Sequence, residues 1–147
     1  MERLTEHLSF HAGLLEADPQ QLNDSRVILE TGVLPHVARR MKDDPAIEAR
    51  LRELVEQFRS ERDLKSWIEL DIRFHRSLLD ASGLQPLVAF GDLLHIFFQR
   101  FRESVNKAGW KVGIESHQRI VDELAKGHVD SATAELRKHI ESHKSRV

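Results

Sequence analysis

The chain has 147 residues, 31% of them charged and 6% aromatic, with no cysteine, and 22 Lys plus Arg against 24 Asp plus Glu leave a formal net charge of -2. That length suits one domain with a real core, and the near balance of charge excludes a chain that grips phosphate backbones by itself. Without cysteine, disulfides, thiolate metal sites and cysteine nucleophiles are excluded, so any metal must be held by nitrogen and oxygen.

Apolar residues recur at spacings of three and four, which predicts helices over 2–17, 24–41, 45–61, 64–81, 86–107 and 113–126, and a seventh begins after Asp130. Asp18-Pro19 closes the first. In the second, Gly32 and Pro35 predict a kink or a weakened first half. The third has a defined start, because Asp44 can accept from free helix N–H groups and the ring of Pro45 is preset for the first helical position. Ser82-Gly83 ends the fourth, Gly109 separates the fifth from the sixth, Gly127 turns the chain, and Asp130 is placed to cap the seventh. The tail His143-Lys-Ser-Arg-Val147 is expected to fray. Short connections force successive helices to run antiparallel. The fold expected is therefore all-α, an antiparallel helical bundle of about six to seven helices, as a single domain over 1–147. No apolar run approaches the roughly 20 residues that span a bilayer, and the N-terminus lacks a cleavable apolar core, so a cytoplasmic protein without a membrane partner is expected.

The fourth predicted helix carries Asp71-Ile-Arg-Phe-His75, a carboxylate and an imidazole four residues apart and hence on one face. Such a pair can clip a metal or simply form a surface hydrogen bond. His117 and His139 are centred on position 128, within the Gly127-His128-Val129 turn. In an antiparallel hairpin, residues equidistant from the turn share a level, so the two imidazoles can face each other across one layer. Three imidazoles and one carboxylate suit one divalent transition metal, zinc first, with nickel, manganese or iron as alternatives. The same register argument sets His95 and Gln99 level with Asp71 and His75. His95, Gln99, Arg102 and Asn106 draw a polar stripe along the fifth helix, which either lines a pocket or forms a solvated outer face. His139-Ile-Glu-Ser-His143 has its Glu one position too late for a zinc-protease helix. His7, His11, His36 and His128 are read as solvated or capping residues.

Taken together these residues resemble the FCD domain, the C-terminal effector-binding domain of the FadR subfamily of GntR transcription regulators. Ser25-Arg-Val-Ile-Leu-Glu30 is similar to the family's Arg-x-x-x-Glu opening helix, Leu70-Asp-Ile-Arg-Phe-His75 to its Asp-x-x-Phe-His motif, and Asp80-Ala-Ser-Gly83 to its Ala-Ser-Gly turn. Ser116-His-Gln-Arg-Ile120 and Ala134-Glu-Leu-Arg-Lys-His139 look like the two later His-bearing segments. Leu84 departs from the usual Asn after that turn without touching the four ligands. The resemblance implies a metal held by Asp71, His75, His117 and His139 at the floor of a cavity that takes a small carboxylate effector. It also implies that Arg26 helps fix the acid, an ion pair with Glu30 one turn on being the alternative. Gln99, Arg102 and His95 are the further effector-binding candidates. A homodimer is implied, and DNA is met only through an N-terminal winged-helix domain that this chain does not contain. The rival classes are a metal-dependent enzyme acting on a small organic acid, which needs a general base that no carboxylate spacing supplies although Glu69 and Glu115 are close in sequence to ligands, and a plain helical interaction module.

Overall fold

The computed structural model describes residues 18–89 and 107–144, and every element among them is helical. In chain order these are α1 (Pro19–Gly32), α2 (Leu34–Asp43), α3 (Pro45–Ser60), α4 (Leu64–Ala81), the short α5 (Gln85–Val88), α6 (Lys107–Ala125) and α7 (Val129–Lys144). The arrangement is an all-α helical bundle. The helix expected over 2–17, the greater part of that over 86–107 and the last three residues of the tail expected to fray lie outside the described residues, while His143 and Lys144 of that tail continue α7.

Three aspartates start three of the helices. Asp18 accepts from the Gln20 amide at 2.8 Å, Asp44 from the Ala46 amide at 3.0 Å and Asp63 from the Ser66 amide at 3.1 Å. Each removes one of the orphan donors a helix start leaves. Asp18-Pro19 thus opens α1 well before the expected start at 24, by the same chemistry that opens α3 at Asp44-Pro45. The disturbance expected from Gly32 and Pro35 is a break at Val33, which separates α1 from α2. Pro35 has no N–H to continue the ladder, and the bonds resume with the amides of His36 and Val37 on the Val33 carbonyl, both at 3.0 Å. Gly109 falls inside α6 instead of ahead of it, since a glycine weakens a helix by about 1 kcal/mol without ending it. Asp130 is not the cap of α7; it sits in the first turn, where its charge complements the helix dipole.

The α6–α7 turn is closed by the His128 amide on the Glu123 carbonyl at 2.8 Å and the Gly127 amide on the Leu124 carbonyl at 3.0 Å. This paired pattern needs a left-handed residue, and Gly127 supplies it at φ +79°. α7 packs on α6 and α1, while α3 packs on α4 and α6. Leu34, Phe58, Phe74, Leu78, Ile120 and Leu136 are fully buried between them. Gly113 lets α6 approach α4 closely, because a Cβ there would lie 3.1 Å from the Trp67 ring. No described helix is long and apolar enough to cross a membrane.

Candidate metal centre

The inward stripe of α4 runs Trp67, Asp71, Phe74, His75, Leu78, so one carboxylate and one imidazole replace apolar side chains on a face otherwise built for the core. On α6 the buried residues are Gly113, Ser116, His117, Ile120, Val121 and Leu124, and on α7 they are Ala132, Leu136, His139 and Ile140. His117 and His139 therefore point into the bundle for the same reason their apolar neighbours do. All four groups are buried, with 2% of Asp71, none of His75 or His117 and 6% of His139 exposed. Uncompensated polar groups are costly at such depth, so their convergence calls for an explanation.

Asp71, His75, His117 and His139 each turn one ligand atom toward a common point, and these atoms all lie within 4.8 Å of one another. Asp71 Oδ1 is 2.9 Å from His117 Nε2, 3.2 Å from His75 Nε2 and 3.9 Å from His139 Nε2. The Nε2 atoms of His75 and His139 are 3.3 Å apart. Ligand atoms about 2.0–2.1 Å from one ion lie about 2.9 Å apart at a right angle and about 3.4 Å apart at a tetrahedral one. Three of the four separations fall in that range, and the fourth corresponds to a wider angle. Among the described residues, Asp71 Oδ1 and both ring nitrogens of His117 are buried without completing a hydrogen bond. Such orphans cost about 1–3 kcal/mol each unless something else satisfies them. The residues present fit a divalent cation, and the cluster can coordinate one.

Charge at the site is arranged in alternation. Burial opposes ionisation of Asp71, but the adjacent imidazoles of His75 and His117 outweigh it and hold its carboxyl well below the usual carboxylate range. His75 is also penalised by burial, yet the carboxylates of Glu30 and Asp71 raise it above an ordinary histidine. Burial pushes His117 down, toward the neutral form a metal ligand needs. Its ring stacks on Phe58 with centroids 4.5 Å apart and leans on Phe74 at 4.4 Å, so two apolar faces keep water from it.

Behind His75 stands Glu30, which the sequence marks only as a possible partner of Arg26. Glu30, wholly buried on α1, meets His75 Nδ1 with one oxygen and accepts from Arg26 Nε at 2.7 Å with the other. Burial works against its charge, but Arg26 and His75 bring its pKa down to about 2. The Arg26–Glu30 pair expected as the alternative is therefore present, and Arg26 is fully buried within it. The signal that could have found Glu30 is its place on the same inward stripe of α1 as Asn23 and Arg26, at spacings of three and four. His95, Gln99 and Arg102 lie outside the described residues. Glu69 and Glu115, the carboxylates close in sequence to the ligands, are exposed.

The FCD domain family model matches residues 21–142, a span that includes the four cluster residues together with Arg26 and Glu30. A search of curated proteins finds no match to the chain.

Proposed function

This chain belongs to the FCD domain family, the effector-binding architecture of the GntR/FadR regulators, and on that premise we propose that it senses a small carboxylic acid on behalf of an attached winged-helix DNA-binding domain. Members of the family are regulatory ligand-binding modules and not catalysts, which sets aside the enzyme reading along with its exposed Glu69 and Glu115. The observation that carries the proposal is the buried cluster of Asp71, His75, His117 and His139. Its donor set, three imidazoles and a carboxylate without thiolate, favours zinc, with nickel, manganese and iron as the other borderline ions.

The charges of the chain argue for an acid as effector. With the imidazoles in the neutral form that ligation requires, Arg26 offsets one of the two buried carboxylates, Glu30 and Asp71, and leaves the cluster with one negative charge. A bound divalent ion would reverse that sign and supply coordination positions for a carboxylate oxygen. Arg26 is the nearest cation on α1, and Gln99, Arg102 and His95 complete the proposed effector contacts on sequence grounds. Sensing further requires that the acid bind two arrangements of the helices unequally, since equal affinity shifts nothing. The resemblance to dimeric regulators supports a cytoplasmic homodimer that presents two DNA-binding domains.

A panel of small hydroxy and dicarboxylic acids tested by thermal shift on the zinc-loaded protein checks the reading. At a hundredfold excess over the dissociation constant, the right acid should add about 2.7 kcal/mol. The metal-free protein should show no such gain. A panel without effect on zinc-loaded protein would count against an acid effector while leaving the metal site standing.

A further inference from the structure

We infer that Glu30, anchored by Arg26, is a positioning residue that holds His75 with a proton on Nδ1 and its Nε2 lone pair directed into the Asp71–His117–His139 cluster; this rests on the metal reading of that site.

An ionised carboxylate can only accept, so the contact between Glu30 Oε1 and His75 Nδ1 puts a hydrogen on Nδ1 and leaves Nε2 as the nitrogen a metal can take. Nε2 is then the nitrogen that can give its lone pair when a metal binds, and it is the atom found 3.2 Å from Asp71 Oδ1 and 3.3 Å from His139 Nε2. The orientation is set from outside α4. Glu30 reaches His75 from α1, 45 residues earlier in the chain, and its second oxygen is held 2.7 Å from Arg26 Nε on the same helix. His117 is held by a different device, for its Nδ1 has no hydrogen-bond partner among the described residues and its ring packs on Phe58 and Phe74.

An ion pair whose only task was to stabilise α1 would gain more at the surface, where neither charge loses its water. Here both side chains are wholly buried and the carboxylate is shared with a candidate ligand. Polar partners of this kind fix the tautomer and ring orientation of a ligating histidine and raise its basicity. Arg26 and Glu30 thus belong to the support of the metal centre.

The test compares wild type with Glu30→Ala, Glu30→Gln and the double variant Arg26→Met/Glu30→Gln, in which neither charge of the pair remains to be stranded. Zinc affinity is read by competition with a chromophoric chelator, and Co²⁺ absorption reports ligand geometry. Glu30→Ala should weaken zinc binding by about 10–100-fold. Glu30→Gln, whose amide oxygen can still accept from Nδ1, should lose less, and the folded double variant should lose affinity with an altered Co²⁺ spectrum. Long-range ¹H–¹⁵N correlation on zinc-loaded wild type should show His75 protonated at Nδ1, a result independent of any variant's folding. Zinc ligated through Nδ1, or a folded double variant with wild-type zinc affinity and Co²⁺ spectrum, would overturn the assignment. Failure of wild type itself to take up zinc is a separate outcome and would overturn the underlying site reading as well.

Discussion

At the scale of single residues, the Arg26–Glu30 pair sets the stakes, because two full charges lie at zero exposure 2.7 Å apart. A buried pair is not cheap to assemble, but breaking it is costlier, since removing one partner strands the other. Arg26→Ala should therefore destabilise the metal-free protein by about 3–5 kcal/mol in urea unfolding; a loss under about 1 kcal/mol would mean that the pair is not structurally coupled to the core. The spacing of Asp71 and His75 was legible in the sequence because four residues is a property of one helix. The Glu30–His75 contact was not, since it crosses between α1 and α4 and depends on how those helices are rotated. Arg26 is instructive in the same way. Motif resemblance marks it as an effector ligand, whereas the folded chain shows it first as the counter-ion of Glu30.

At the scale of elements, glycines mark where the backbone must do what a side chain forbids. Gly83 after α4 has φ +73°, and a Cβ there would lie 2.5 Å from an Arg40 guanidinium nitrogen, whereas Gly127 at φ +79° has open space around it. Gly127→Ala should cost about 1–2 kcal/mol, the left-handed penalty alone. Gly83→Ala should cost more, because the Arg40 contact with the Ala81 carbonyl at 3.2 Å must also give way. Paired urea titrations check the order, and equal losses would mean that Arg40 yields freely. The bounds of α4 could be read from its periodicity and from Ser82-Gly83. The start of α1 carried the same Asp-Pro signature as α3 and was recoverable. The start of α6 was not, for Gly109 says only that a helix is weakened there. Asp130 shows the remaining ambiguity at helix starts, where an acidic residue favours the first turn as well as the cap.

For the molecule as a whole, the site exists because two antiparallel relations meet. The α6–α7 hairpin turns about Gly127 and sets the rings of His117 and His139 with centroids 4.6 Å apart. α4, which packs on α3 as α6 does, brings Asp71 and His75 to the same level. The hairpin register could be counted in the sequence, because a tight turn fixes which residues are opposite. The meeting of α4 with that hairpin could not, since it is set by packing around Phe58, Phe74 and Trp67. The central claim is that this convergence is a metal site, and elemental analysis of the purified protein beside a folded His139→Ala variant tests it most directly. Wild type should carry about one divalent transition ion per chain and the variant should lose most of it; equal metal in the two, or none in wild type after reconstitution, would contradict the account.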